Sequence, residues 1–157
     1  MKKRFFERAY SSDFPGRDDV LLLDVLPINT DQLLKVVIIS TNSPRKQGVY
    51  LIITAGRGYI ECEGERSRGI SLWCDSPPRE WIIKCHSVPK LITIYNAFED
   101  YLFGSTRGMP DSFQYKSGML VEENGDKRIY HCKDKNDGSE IDTFDNLVFS
   151  VEKLPAP

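Results

Sequence analysis

The sequence contains no apolar run of the ~18 residues that a membrane-spanning helix needs. Its first residues, MKKRFFERAYSS, begin with basic residues as a secretion signal does. Glu7 and Arg8 then interrupt the apolar stretch almost at once, so no apolar core of a signal peptide follows. We therefore expect the protein to work in the cytoplasm, away from the membrane.

The sequence also lacks a block of basic residues. It has 21 Lys and Arg against 23 Asp and Glu, which gives a net charge of −2, and the basic residues are scattered. Sequence-independent binding to nucleic acid needs clustered cations that neutralise phosphates. We therefore expect no nucleic-acid partner.

Long helical stripes are missing as well, whereas short β-branched runs are abundant. Each run has roughly five to nine residues and ends at Gly, Pro, Asn, Asp or Ser, which is typical of sandwiches and barrels. The chain is long enough for one domain over residues 1–157. We predict a single antiparallel β-sandwich, jelly-roll-like, with about nine to ten strands drawn from the apolar runs 20–28, 33–41, 48–56, 58–64, 69–76, 80–86, 90–98, 118–123, 127–132 and 146–154.

Two hairpins can be placed in register from their turn residues. Asn124-Gly125 is the strongest turn signal, because a type I′ turn needs φ > 0 at both central positions. With these two residues in the loop, Leu120 is predicted to face Ile129. A second hairpin is predicted about Gly64-Glu65, with Ile60 on its buried face.

Histidine and cysteine are scarce, with two His and four Cys. The pairs Cys85-His86 and His131-Cys132 could supply a zinc site, and Cys132 with His86 could form a catalytic pair. However, adjacent strand residues point to opposite faces, and structural zinc ligands usually come from turns. We predict free buried thiols, no metal and no cofactor.

The acidic stretch HCKDKNDGSEID covers residues 131–142. It is one residue too short for an EF-hand, because Gly138 falls at position 5 when Asp134 is position 1. A different calcium site using Asp134, Asp137 and Asp142 stays open. The preferred interpretation is a solvated loop between two strands.

The segment 96–118 is the longest without strand periodicity. Long loops on β scaffolds often carry function, and interface energy concentrates in aromatic residues and Arg. The segment is therefore the preferred site for a protein partner, and the alternative is that it closes one end of the fold. The predicted contact residues are Phe98, Tyr101, Phe103, Arg107, Phe113 and Tyr115.

A competing ligand site lies around the CDSPPRE stretch. Trp73 is out of phase with its apolar neighbours and is predicted on the outer face, near Asp75 and Arg79. An exposed Trp beside charged side chains suits stacking on a sugar or anchoring a partner. Burial of this outer face, with Trp73, under a second sheet is the preferred interpretation, and an exposed Trp73 is the alternative.

The C-terminal part, with LITIYNAFED, SGMLVEENGDKRIYHCKD and FDNLVFSVEKL, resembles a bacterial family of small β-rich proteins of unknown function. The resemblance covers roughly residues 90–154 and carries over no catalytic residue. It implies a bacterial origin and a gene near toxin or secretion genes.

No nucleophile, base and orienting group can be assembled from these motifs, so no catalytic residue is predicted and the protein is not expected to be an enzyme. We predict a binding protein with a protein partner, as an immunity or accessory protein. The alternative is a carbohydrate- or small-ligand-binding module.

Overall fold

A computed structural model describes residues 7–99, 117–134 and 143–156. Over these ranges the chain forms strands, turns and bends, without a helix. All ten apolar runs become strands. The twelve strands are β1 Ala9–Tyr10, β2 Leu21–Pro27, β3 Gln32–Thr41, β4 Lys46–Ile52, β5 Gly58–Cys62, β6 Glu65–Ser67, β7 Gly69–Trp73, β8 Arg79–Ser87, β9 Leu91–Glu99, β10 Gly118–Asn124, β11 Lys127–Lys133 and β12 Leu147–Lys153.

The strands form one antiparallel sheet in the order β6-β5-β8-β3-β12-β11-β10-β2-β9-β4-β7, with β1 added beside β2. β6 and β7 stand at the two ends of this order, yet Arg68 alone separates them in the chain. The two ends must therefore lie close together, and the sheet is nearly closed as a barrel.

The all-β, antiparallel prediction is confirmed, whereas the sandwich with jelly-roll order and the strand count are not. The described residues contain twelve strands in one sheet, eleven of them on a continuous path and β1 beside it. β1 and β6 have 2 and 3 residues. Segments this short show no alternation, so the sequence did not reveal β1, and β6 is covered only by the predicted hairpin about Gly64-Glu65.

The core lies inside the curved sheet and follows the period of two. Along β3, Leu34, Val36 and Ile38 are fully buried, and the residues between them are partly exposed. Neighbouring strands contribute matching residues: Tyr130 of β11 pairs with Phe149 of β12, and their rings stack with centroids 4.7 Å apart. Alternation therefore does predict which face of each long strand is buried.

β2 changes neighbour along its length. Leu21 pairs with Met119 of β10, whereas residues 24–27 pair with β9. Where β2 leaves β10, Arg128 Nη1 donates to the Val25 carbonyl oxygen at 3.3 Å and to Asp24 Oδ2 at 2.8 Å. The ion pair of Arg128 with the buried Asp24 thus joins β11 to β2 where the backbone pairing of β2 with β10 stops.

Both predicted hairpin registers are wrong by one turn position. In the β10–β11 hairpin the central residues are Gly125-Asp126, and Leu120 pairs with His131. In the β5–β6 hairpin they are Glu63-Gly64. Moving a two-residue turn by one position changes the partners but keeps every side chain on its face, so hydrophobic alternation could not detect the error.

Candidate functional site

Two chain connections meet at one end of the sheet. β3 leads through residues 42–45 into β4, and β7 leads through residues 74–78 into β8. They meet because β3 pairs with β8 and β4 pairs with β7. Between them lies a cleft of about 350 Å³, lined by Thr41, Ser43, Pro44, Arg45, Lys46, Gln47, Cys74 and Asp75.

Asp134 anchors the polar side of this cleft. Its carboxylate is 2% exposed. It accepts hydrogen bonds from the Ser43 hydroxyl, from Gln47 Nε2 at 2.8 Å and from Arg45 Nη1 at 3.4 Å. The Asp134 amide donates to Asn146 Oδ1 at 3.1 Å. One carboxylate therefore fixes two side chains of the β3–β4 connection and one at the start of β4.

The preferred interpretation of the acidic stretch 131–142 as a solvated loop is wrong at Asp134, because Asp134 is buried. Asp134 faces Arg45 and protein hydrogen-bond donors instead of water. Asp137 and Asp142, the other residues of the predicted calcium site, lie outside the described residues. Arg45 already compensates Asp134, so this carboxylate is poorly placed to hold a cation.

Gln47 is the most deeply buried residue lining the cleft, at 1% exposure. Its Nε2 donates to Asp134 Oδ2 and, at 3.2 Å, to the Arg45 carbonyl oxygen. Its Oε1 has no hydrogen-bond partner within the described part of the chain. Since both donors are used on acceptors, the amide orientation is fixed and an unsatisfied acceptor remains.

Trp73 lies beside the cleft on the outer face, as its phase in the sequence predicts. It pairs across the sheet with Gly48 and is partly exposed. A Cβ added at Gly48 would lie 2.6 Å from Trp73 Cε3, so the indole rests directly on the glycine backbone. Lys46, which lines the cleft, places Nζ 5.4 Å from the Trp73 ring centroid.

Asp75 and Arg79, the other two residues of the predicted ligand site, have different surroundings. Asp75 is exposed and lines the cleft. Arg79 instead lies over Trp81, with its guanidinium carbon 4.6 Å from the ring centroid, and donates to the Trp73 carbonyl oxygen at 3.4 Å. Trp73 and Asp75 therefore stay with the cleft, whereas Arg79 is engaged beside it.

Sequence reasoning missed two aromatic residues on the same outer face. Tyr50 and Tyr95 pair between β4 and β9 and stack with centroids 5.1 Å apart. Burial, with a smaller contribution from Tyr50, raises the pKa of Tyr95 to about 12. The two residues are 45 positions apart, so only the pairing of β4 with β9 brings them together.

The predicted partner segment falls mostly outside the described residues, including Tyr101, Phe103, Arg107, Phe113 and Tyr115. Phe98 is described and is fully buried. In this structure it packs inside the protein and presents no contact surface. The next residue, Glu99, pairs with Lys46. The first described part of the segment thus ends at the edge of the cleft.

The candidate zinc and Cys–His sets are not brought together. Cys85 and Cys132 are buried, whereas their neighbours His86 and His131 are partly exposed. β3 and β12 separate β8 from β11, which places these strands about 14 Å apart at normal strand spacing. The described residues hold no cluster of three or more His, Cys, Asp or Glu suited to a metal.

The two histidines have local surface partners. His86 Nδ1 lies 2.9 Å from Asp31 Oδ1, and its ring stacks on Tyr59 at 5.2 Å. His131 Nε2 lies 3.5 Å from Glu122 Oε1. Burial raises the pKa of the Cys85 thiol to about 12 and that of Cys132 well above its usual range. Neither thiol is prepared to act as a nucleophile.

Among the described residues, no helix has the length and apolar character to cross a membrane. No protein-family model and no curated protein matches the sequence.

Proposed function

We propose that this protein is a binding protein that holds a small polar ligand in the cleft beside Trp73. The observation that carries the proposal is the cleft itself: the buried Asp134 holds its polar side chains in place, and an aromatic ring lies at its edge. Ligand sites combine a few fixed polar groups with aromatic surface in this way.

Binding is favoured over catalysis by the groups that the cleft contains. The Asp75 carboxylate can accept hydrogen bonds from a ligand, and Lys46 and Arg45 can donate to it. The described residues bring no histidine into the cleft as a general base. We accordingly propose no chemical step.

The test is a thermal-shift and tryptophan-fluorescence screen of the whole chain against small polar molecules. A true ligand should raise the melting temperature and change the emission of Trp73. Lys46→Ala and Trp73→Ala should each weaken binding at least tenfold, whereas Lys84→Ala on β8, outside the cleft lining, should not. Unchanged affinity in both cleft variants would contradict the proposal.

A second candidate is a protein partner bound through residues 96–118, as an immunity or accessory protein in the bacterial cytoplasm. The segment's aromatic content favours it, as does its start beside Lys46 at Glu99.

Tyr101→Ala and Arg107→Ala should then weaken capture of a partner from the native host, with thermal stability within about 1 kcal/mol. If the segment instead closes the end of the fold, both changes should lower the melting temperature. Strong destabilisation in both variants would remove the segment as a functional surface.

A further inference from the structure

Three exposed cations meet at the end of the sheet that lies opposite the cleft. β4 and β8 both lead away from the connections that form the cleft, so the β4–β5, β6–β7 and β8–β9 connections lie at the far end. These connections carry Arg57, Arg68 and Lys90, all of which are exposed. Together with Val88 in the β8–β9 turn, these residues form what we call the basic tip.

Backbone contacts hold the basic tip together. The Val88 amide donates to the Arg57 carbonyl oxygen at 2.9 Å, and Arg68 Nη1 donates to the Gly56 carbonyl oxygen at 2.9 Å. A Cβ added at Gly56 would lie 2.6 Å from Pro89 Cγ, so the β8–β9 turn rests directly on the β4–β5 connection. The three cations are therefore grouped around Val88 by the fold itself.

The cations of the basic tip have no counter-charge. Within the described residues, no carboxylate forms an ion pair with any of the three. Arg68 donates to the carbonyl oxygens of Ile53 and Gly56, which leave its charge uncompensated. The chain has 23 Asp and Glu, yet residues 52–60 and 86–98 contain none.

Two carboxylates at this end of the sheet have other surroundings. Asp31 lies 2.9 Å from His86 Nδ1, and Asp126 lines a cleft of about 310 Å³ together with Asp31 and Lys153. Neither residue lies in the three connections that form the basic tip. The tip therefore presents a positive charge to a partner.

An apolar side chain projects from the middle of this charge. Val88 is the most exposed large apolar residue of the described chain, at 63%. Its turn is closed by the Lys90 amide, which donates to the Ser87 carbonyl oxygen at 3.0 Å. Valine is under-represented among the residues that dominate protein interfaces. An apolar group with basic neighbours is instead the combination that attaches proteins to anionic membrane surfaces.

We infer that the basic tip docks on an anionic phospholipid surface, with Val88 at the boundary between headgroups and acyl chains and the three cations on the headgroups. This contact needs no membrane-spanning segment, and it replaces the expectation of a protein away from the membrane. Because the tip and the cleft lie at opposite ends of β4 and β8, docking leaves the cleft facing away from the lipid. The inference does not depend on the ligand function of the cleft.

The experiment is sedimentation of the full chain with sucrose-loaded vesicles, either of pure phosphatidylcholine or with about one third phosphatidylserine. The protein should bind only the anionic vesicles, and the bound fraction should fall between about 0.05 and 0.5 M salt because salt screens the cations. Soluble polyglutamate at the same charge concentration offers no apolar phase and should bind far less.

Arg57→Ala combined with Lys90→Ala should weaken binding to the anionic vesicles at least about tenfold. The matched control is Lys46→Ala combined with Arg79→Ala, which removes the same charge from the opposite ends of β4 and β8 and should keep the affinity within about twofold. Val88→Ser should weaken binding at least about threefold, because it removes the apolar contribution. The tip variants alter exposed side chains, so their melting temperatures should match that of the wild type.

Insertion of the apex is measured with Val88→Trp on anionic vesicles that contain brominated acyl chains. Bromine quenches an indole that lies close to it, so the introduced indole should lose more fluorescence than the indoles of the wild type. Equal quenching in the two proteins would overturn the position of Val88 in the lipid.

Equal binding to neutral and anionic vesicles, or no binding to either, would overturn the inference. Equal losses in the tip variant and in the control would overturn the role of the basic tip. Binding to polyglutamate but not to vesicles, with loss in Arg57→Ala combined with Lys90→Ala, would replace the lipid by an acidic protein surface. The ligand function of the cleft is tested separately and can fail without affecting these outcomes.

Discussion

At the scale of single residues, Asp24 is the polar side chain on which several parts of the fold depend. It has no exposed surface and receives Arg8 Nε at 2.9 Å, Arg128 Nη1 at 2.8 Å and the Tyr130 hydroxyl at 2.7 Å. Burial, reinforced by the charge of Asp24, raises the pKa of Tyr130 well above its usual range. The phenol therefore remains a hydrogen-bond donor to the carboxylate.

Asp24→Ala should lower the free energy of unfolding by about 3–5 kcal/mol, because it leaves two partly buried guanidinium groups without their counter-charge. Urea denaturation checks this. Asp19→Ala is the control, since Asp19 pairs with Arg17 at the surface, and it should leave the midpoint nearly unchanged. Equal midpoints for the two variants would contradict this role of Asp24.

The four cysteines are free thiols with unequal exposure. Cys74, Cys85 and Cys132 are buried, and Cys62 is partly exposed. At pH 8, iodoacetamide should modify Cys62 first, because Cys62 is partly exposed and the other three thiols are buried, with the pKa of Cys85 raised to about 12. Mass spectrometry should find one fast adduct in the native protein and four after unfolding. Two missing adducts after unfolding would indicate a disulfide.

At the scale of elements, the β10–β11 turn is centred on Gly125-Asp126 and not on the predicted Asn124-Gly125. Gly125 has φ +64° at the first central position, and Asp126 has no positive φ, as in a type II′ turn. Asn124 is the last residue of β10 and pairs with Lys127. A type I′ turn about Asn124-Gly125 would instead require a positive φ at Asn124.

Gly125→Val should therefore cost about 1–3 kcal/mol of stability through backbone strain alone, since a Cβ at Gly125 has no neighbour within 4 Å. Asn124→Thr should be tolerated, because Asn124 occupies a strand position where Thr is favourable. Denaturant midpoints of both variants provide the test. A large loss of stability in Asn124→Thr would instead support a type I′ turn about Asn124-Gly125.

At the scale of the whole molecule, the fold buries, wholly or in part, titratable groups that are neutral at pH 7. Burial raises the pKa of Cys85 from 9.0 and of Tyr95 from 10.0, each to about 12, and raises that of Tyr130 well above 10.0. The unfolded chain releases these protons at lower pH than the folded protein does. Stability is therefore fully present below about pH 9 and falls as the pH rises towards 12.

Urea midpoints between pH 8 and 11 should decrease, with each group contributing at most about 1.4 kcal/mol per pH unit. Tyr95→Phe should make the decrease shallower, whereas Tyr10→Phe, which removes an exposed phenol, should not. A stability that stays constant up to pH 11 would contradict the burial of these groups.

The sequence by itself determined the strands and their buried faces. Runs of β-branched residues bounded by turn formers located ten strands, and the period of two placed Trp73 on the outer face, because alternation is a local property of the backbone. It could not set the turn positions, since a turn moved by one residue keeps the same faces.

Only the tertiary structure decided which strands are neighbours, and the candidate site depends on that choice. Gln47 lies near the start of β4, Asp134 directly follows β11, and Asp75 lies between β7 and β8. They share one end of the sheet because β3 pairs with β12 and β8, and β4 with β7. The burial of Asp134 could not be predicted for the same reason: its partners Ser43 and Gln47 are 91 and 87 residues away in the chain. Such contacts form when the sheet curves and nearly closes, and no local pattern encodes them.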